Sequence, residues 1–486
     1  MPSRHEQLIR VDLVTRSFVS SFKVCPLVVL ASMVLLARNV GAAGFQVNEQ
    51  SARGLGSAFA GEAAAAEDAS TIFFNPAGMT RLSGTQFVSS GFVIKPTLNF
   101  HNEGSRLNSA VGGGALGGSN DGNGGSMALL QTLFISHELL SDRAWIGLGA
   151  STPYGLKTSW TPGWVARYHA IDSELITVNV NPSLALKLAR WLSIGGGADI
   201  DYARARLTNA LDLGTICQLN APRFGLPPKA CISVSGLRPQ RVDGFNAFRG
   251  DDWNASYNVG VLLSPLDTTR IGLAYRAYTH HRLGGSASFL IPKKAAILQR
   301  LSGALVDTDG NAALDLPDRV ALSAFHQLTA RWAVLSDITW THWSQFDQLV
   351  FNFENPKQPT IVQPERWKDS FRYSVGTRYE PTRRWSFRLG AAYDETPIPD
   401  DAHRTARIPD SDRIWASFGI GFRFSDRMRI DFGYAHLFAL AASARNPDPV
   451  SGNVQVGSYS AHADIVGIGL HYDLGWPLWP PWGHPI

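Results

Sequence analysis

From about residue 84 onward, apolar and polar positions alternate with a period of two. In "DIVGIGLHYDL", residues 464–474, Val466, Ile468, Leu470, Tyr472 and Leu474 fall on one face and Gly467, Gly469, His471 and Asp473 on the other. "RWSFRLGAAYD" sets Trp385, Phe387, Leu389, Ala391 and Tyr393 against Ser386, Arg388, Gly390, Ala392 and Asp394. "WASFGIGFRF", "LITVNVN" and "RIDFGYA" repeat the pattern. Strict alternation predicts β-strands with one apolar face. A soluble sandwich alternates too, but its polar face meets bulk water and favours Lys, Glu and Thr. Here that face is Gly, Ser and Asn with isolated Arg and Asp, which suits an enclosed lumen of limited width.

The strand-like segments run to roughly 10 residues or more, enough to cross a bilayer at a tilt. Lipid tolerates no open sheet edge, so the strands must close into a barrel. Short polar connectors recur at 139–145, 187–193, 264–272, 327–334, 379–387 and 424–430. Six such turns join twelve strands, and one strand before and one after make fourteen. Longer, irregular loops are expected near 101–126, 156–172, 210–252, 290–317, 354–366, 397–411 and 442–459. Short turns on one side and long loops on the other, with an even strand count, predict an all-β, fourteen-stranded antiparallel outer-membrane barrel over 84–475.

What precedes the barrel differs in character. "VCPLVVLASMVLLA", residues 24–37, follows Arg4, Arg10, Arg16 and Lys23 and is too short to span a membrane as a helix. With "VGA" at 40–42 it reads as a secretory signal peptide over 1–42. The chain carries +4; that leader holds five basic residues against Glu6 and Asp12, leaving +1 for the mature part. Such a balance implies no nucleic-acid partner. Cys217 and Cys231 survive cleavage, lie close together in a non-periodic loop and meet an oxidising compartment, so a disulfide is expected.

The stretch "GFQVNEQSARGLGSAFAGEAAAAEDASTIFFNPAGM", 44–79, is small in side chain, with helix formers at 62–69 and no alternation. An open barrel of this size would leak. Residues 43–83 therefore read as a hatch of short helices inside the lumen. This stretch resembles the hatch of FadL-type outer-membrane transporters, in Phe45, Asn48, Glu49, Gly54, Leu55, Gly56 and Phe59 and in the element Asn75, Pro76, Ala77. "STPYGL" (151–156), "WVARYHAIDSE" (164–174), "WSQFDQL" (343–349) and "IPDSDRIWAS" (408–417) are similar as well. The resemblance implies passive uptake of long-chain fatty acids or other hydrophobic compounds by a monomer in contact with outer-membrane lipid, with no cofactor. It also implies capture at external loops, a luminal site beside the hatch, and sideways release at a kinked strand. Pro153, Tyr154 and Gly155 are the candidate kink, since Pro153 removes a ladder donor; the same residues could simply end the strand at the external loop.

In the fourth loop, "IPKKAAILQRLSGAL" predicts a short helix after Pro292. Ile297, Leu298, Leu301 and Leu305 would share one face, with Lys293, Lys294 and Arg300 nearby. An apolar groove edged by basic residues suits a fatty-acid tail and carboxylate; packing against the third loop is the alternative. Arg388, Arg423 and Arg429 face the predicted lumen, where Asp394, Asp431 and Asp337 are possible partners. "GLGSAFAG" resembles a dinucleotide turn but lacks a preceding strand, and the adjacent His280 and His281 lack ligand spacing, so neither cofactor nor metal is called for. A channel for aromatic or alkane hydrocarbons, or an enzyme or adhesin on the same barrel, are the competing readings.

Overall fold

The computed structural model describes residues 44–475. The signal-peptide reading over 1–42 and the Pro/Trp-rich tail 476–486 lie outside the described residues. Fourteen strands form one closed antiparallel sheet. They are β1 (Thr85–Asn102), β2 (Ala128–Leu140), β3 (Ala144–Ser151, resuming at Gly155–Ser159), β4 (Asp172–Ala189) and β5 (Leu192–Asp212). Then come β6 (Asp243–Leu266), β7 (Thr269–Arg276 and Thr279–Leu290), β8 (Thr308–Leu316 and Arg319–Gln327), β9 (Trp332–Thr341 and Gln348–Phe353) and β10 (Ile361–Pro364 and Ser370–Tyr379). Last are β11 (Trp385–Asp394), β12 (Arg413–Arg423), β13 (Met428–Ala439 and Ala442–Pro447) and β14 (Val454–Asp473). Each pairs with the next, and β1 closes on β14 from Gln86 opposite Asp473 to Asn102 opposite Gly457.

The alternation sorts as its chemistry requires. Leu389 is 61% exposed and Ile468 59%, facing lipid, while Arg388 and Asp394, at the alternate positions of the strand that holds Leu389, are buried in the lumen. All six short turns stand where the polar connectors predict them. The third, fourth and seventh external loops are shorter than expected, because strands continue into them: β5 has 21 residues and β6 has 24. Above the lipid the outward face no longer needs to be apolar, so the ladder continues where the hydrophobic alternation has faded.

The hatch consists of α1 (Ala52–Leu55), α2 (Glu62–Ala65), α3 (Thr71–Phe74) and a 3-10 turn over Pro76–Arg81. It packs against wall positions that lack side chains. A Cβ on Gly56 would lie 2.7 Å from the Cα of Gly419 on β12. Asn75 fastens the C-terminal part: its Nδ2 donates to the carbonyls of Ala63 (2.8 Å) and, on β6, Val261 (3.0 Å), while its Oδ1 accepts from the Ala77 amide (3.1 Å). Pro76 then opens the 3-10 turn, where no backbone donor is needed.

In the third loop, α4 (Leu213–Asn220) and α5 (Ala230–Ser233) are joined by the disulfide Cys217–Cys231, as expected from their spacing. Closing a loop of this length restricts the unfolded chain by about 3 kcal/mol. The unreduced mature protein should therefore present no thiol to an alkylating reagent. C217A/C231A should insert as a barrel yet be cut by protease between 218 and 230 at least severalfold faster; two free thiols in the untreated protein would refute the pairing.

Candidate functional site

Three of the segments singled out by resemblance, 151–156, 343–349 and 408–417, converge on the tip of the hatch, while 164–174 packs in a separate cluster with Phe100 and Tyr459. Phe45 sits in an aromatic cage, its ring centroid 6.0 Å from Tyr154, 4.8 Å from Trp343, 5.4 Å from Phe346 and 5.6 Å from Trp367. The Gly44 amide donates to Asp410 at 3.0 Å. Gly44 has φ +60°, and a Cβ there would lie 2.6 Å from the Trp367 ring, so only glycine fits. Trp367 is the cage member that alternation could not identify, because it lies in a loop.

Beside the cage the wall is interrupted. Strand β3 stops at Ser151 and resumes at Gly155, so Pro153 breaks the strand and does not end it. Its last pair with β2 is Ala150 opposite Leu133, and β2 residues 128–132 pair with β1 alone. Contact returns higher up, where the Ser159 amide donates to the Gly124 carbonyl at 3.0 Å. The result is a window in the sheet between 126–132 and 151–157. The hatch satisfies the groups the break frees: Val47 N–H donates to Pro153 O and Gly155 N–H to Phe45 O, both at 2.8 Å. Gln50 Nε2 donates to the Thr152 carbonyl at 2.8 Å. Tyr154 N–H donates to Thr177 Oγ1 on β4 at 3.0 Å.

Nearer the short turns, an ionic network ties hatch to wall. Arg53 of α1 contacts Glu62 (2.9 Å), Glu67 (2.6 Å) and Asp68 (2.9 Å). Glu67 also meets Arg378 of β10 and lies 3.7 Å from Arg388 of β11. Asp68 meets Arg429 of β13 at 3.0 Å. Asp431 binds both Arg388 (3.1 Å) and Arg429 (2.7 Å). The hatch members carry a net negative charge and the wall members a net positive one, so each compensates the other's desolvation. Arg388 and Arg429 thus face the lumen as predicted. Arg423 does not: it ends β12 beside the turn and is exposed. Of the expected partners only Asp431 is used; Asp394 lies 3.6 Å from Arg413, and Asp337 bonds Ser323 and Thr339. Arg53, Glu67 and Arg378 were missed because hatch residues carry no periodicity that shows their facing. Elsewhere in the hatch, Ser51 caps α1 by accepting from Gly54 N–H at 3.2 Å. Leu55 is fully buried, and Phe59 stands edge-on to Trp415 of β12 at 6.3 Å. Glu49 is 1% exposed, and Asn48 lines a cavity with Arg319 and Arg372.

A third feature lies under the external loops. Phe248, Phe289, Phe351, Phe353 and Leu305 line a cavity of about 60 Å³ that also contains Arg407. One water occupies some 10–15 Å³ on this measure, so there is room for a carboxylate and a few carbons. The Arg407 guanidinium hydrogen-bonds neutral acceptors, Ser173 Oγ (3.3 Å), Thr208 O (3.4 Å) and Asn209 Oδ1 (3.3 Å), while Asp448 of the same cavity, pushed up to about 6 by burial and still largely ionised at pH 7, is the carboxyl that acts on it most strongly. Burial pushes Arg407 down to about 10, so it stays charged. Its neighbour Glu365 is pushed up to about 8 by burial and is neutral at pH 7. The fourth-loop helix α6 (Ala296–Ser302) forms as predicted, after a 3-10 turn at Lys293–Ala295. Its residues do not share one face: Leu298 and Leu305 are buried in the loop core, whereas Ile297 (38%) and Leu301 (46%) are exposed. The helix ends at Gly303, and the positive φ of Leu305 turns that side chain inward with Leu298. Lys293, Lys294 and Arg300 stand exposed beside the outer pair.

Residues 33–474 match the family model "Outer membrane protein transport protein (OMPP1/FadL/TodX)". The chain belongs to the FadL/TodX family. It is 29% identical over 412 residues to the long-chain fatty acid transport protein of Escherichia coli O6:H1 (strain CFT073), covering 84% of this chain and 89% of that one. It is 28% identical over 474 residues to outer membrane protein P1 of Haemophilus influenzae, covering 91% and 98%. The crystal structure of a Pseudomonas aeruginosa FadL homologue superposes with a TM-score of 0.79 at 24% identity, covering 89% of this chain and 100% of the other. The Pseudomonas putida toluene transporter TodX superposes at 0.63 and 18% identity, covering 84% and 95%. As a FadL/TodX member the chain is an outer-membrane transport protein for fatty acids or hydrophobic aromatic compounds.

Deleting Gly44–Ala69 should leave a heat-modifiable barrel with raised conductance in planar bilayers, since the strands make their own ladder. Arg53→Ala should raise conductance less: it strands Glu62 and takes one of the partners of Glu67 and of Asp68, a loss of about 3–5 kcal/mol for a broken buried network. Conductance unchanged in both would mean that the segment does not plug the lumen.

Proposed function

We propose that the protein carries long-chain fatty acids, or amphiphiles like them, passively across the lipopolysaccharide leaflet and releases them sideways through the β2–β3 window. The observation that carries this reading is the break at Thr152–Gly155, where Thr152 O, Pro153 O and Gly155 N–H bond the hatch, Tyr154 N–H bonds β4, and none of these bonds β2. A greasy solute that leaves through the wall enters the membrane without crossing water. Capture begins at the exposed Ile297 and Leu301, with Lys293, Lys294 and Arg300 beside them. The carboxylate is then held by Arg407, whose direct hydrogen bonds go to neutral groups, in competition with Asp448 of the same cavity. The aromatic cage around Phe45 includes Tyr154 at the break, so on this reading the solute passes it on the way to the window. Names of relatives support the substrate class: the Escherichia coli relative is called a long-chain fatty acid transport protein.

The second reading is a channel for monoaromatic hydrocarbons, favoured by the aromatic lining of the cage and by the likeness to the toluene transporter fold. Arg407→Gln separates the two. If carboxylates are the cargo, oleate binding should weaken about tenfold or more, as expected for loss of a charge-assisted hydrogen bond, with toluene binding unchanged. Equal binding of oleate by the variant would favour the hydrocarbon channel.

Two further outcomes test the route. Glu365 is neutral below about pH 8 and becomes an anion above it, where it competes for Arg407. Oleate affinity should therefore fall as pH rises through 8, and the fall should vanish in Glu365→Gln. Replacing Pro153 with Val and Gly155 with Thr should restore β-preference and a ladder donor, narrowing the window. Uptake should drop at least tenfold while oleate binding to the detergent-solubilised protein survives; uptake at the parental rate would sink lateral release.

A further inference from the structure

The outer wall carries a charged feature that transport does not use. On β5 the outward residues run Ile200, Tyr202, Arg204, Arg206, while Asp201, Ala203, Ala205 and Leu207 between them are buried. On β6 they run Val259, Tyr257, Ala255, Trp253, Asp251, Arg249. The register sets Tyr202 opposite Trp253, with ring centroids 5.1 Å apart, and two steps further toward the loops it sets Arg206 opposite Arg249. A Tyr–Trp pair above an apolar band marks the membrane interface, so these arginines stand at headgroup level.

Two arginines directly opposite each other on neighbouring strands repel, a destabilising arrangement. Little nearby offsets it. Arg206 has one ion pair, to Asp172 at 3.7 Å, with side chains 36% and 32% exposed. Arg249, Arg204 and the outward Arg282 of β7 have no ion pair within 4 Å among the described residues, although Asp251 faces Arg204 across the ladder. Next to Arg282 the wall is notched: a Cβ on Gly284 would meet open space, and a groove of about 590 Å³ passes Ser286 and Asn311, with the carboxylates Asp309 and Glu354 on its far side from the arginine pair. A repulsive arginine pair with two further guanidiniums at its sides, beside an open polar groove and above an aromatic belt, calls for phosphates on a sugar headgroup with acyl chains below.

We infer that strands β5–β7 form a binding site for a phosphorylated glycolipid of the outer leaflet, the lipid A part of lipopolysaccharide, with Arg206 and Arg249 sharing a phosphate and Arg204 and Arg282 flanking it. Guanidinium pairs bind phosphate bidentately, and the site lies outside the lumen, so it anchors the barrel in its leaflet independently of cargo.

The test uses the mature barrel in detergent with bisphosphorylated lipid A as probe, bound lipid being counted by native mass spectrometry. Wild type should retain lipid A, and R206Q/R249Q should bind it about tenfold or more weakly. Arg331→Gln, at a turn on the opposite side of the membrane, should change nothing. Heat modifiability reports folding, and the exposed R249Q alone, with a smaller loss, serves if the double variant fails to insert. Equal binding by wild type and variants, equal binding of lipid A stripped of its phosphates, or tighter binding of phosphatidylglycerol than of lipid A would each overturn the assignment. Oleate binding should be the same in all variants, so failure here is distinct from failure of the transport reading.

Discussion

Everything in this molecule follows from the requirement that backbone polar groups facing lipid be paired inside the protein. Around the sheet the requirement is met by closure, β1 on β14. At one place it is met differently: where Pro153 interrupts β3, the amides and carbonyls that β2 no longer serves are taken up by Phe45, Val47 and Gln50 of the hatch. The plug is therefore part of the wall at that point. A shift of the hatch tip would expose unpaired backbone at the window, so plug position and wall integrity are energetically coupled. The coupling is local, because the lower hatch is fastened separately.

That lower fastening is electrostatic. Arg53, Glu62, Glu67 and Asp68 face Arg378, Arg388, Arg429 and Asp431 in a closed network. Such a network contributes little net stability once desolvation is counted, but it is intolerant of a missing member. It fixes the register between a segment with few large side chains and a wall rich in glycine, where packing alone would leave several positions nearly equivalent. The upper hatch, held by rings and backbone bonds around Phe45, has no such ionic constraint. Motion is therefore expected at the tip and not at the base, where it would reach the window and the external cavity without opening an aqueous pore.

The external cavity holds its charge more loosely. In the network every charge has its opposite in direct contact; at Arg407 the hydrogen-bond acceptors are neutral, and the two carboxyls that act on it, Asp448 and Glu365, are both pushed up by burial. Neither forms an ion pair with Arg407 within 4 Å among the described residues, and on the proposed reading a cargo carboxylate supplies that direct contact.

Strand number, turn positions and the two faces of the barrel were legible in the sequence because alternation is a local property: Trp385, Phe387 and Leu389 look outward whatever surrounds them. The disulfide was legible for the same reason, since two cysteines fourteen residues apart in one loop have few other partners. The hatch was legible only as a segment without alternation, and Asn75–Pro76–Ala77 only as a resemblance. What tertiary structure decided was adjacency between distant segments: Trp367 closing on Phe45, Glu67 meeting Arg378, Arg206 opposing Arg249. It also decided which of the neighbours Ile297 and Leu298 is buried, since a two-turn helix in a loop takes its facing from what it packs against. Arg423 was misassigned because alternation gives a side, not a depth, and only the closed barrel shows where the lumen ends. A local pattern records how each residue is turned; the long-range contacts that make a site depend on the shear and closure of the whole sheet, which no single segment contains.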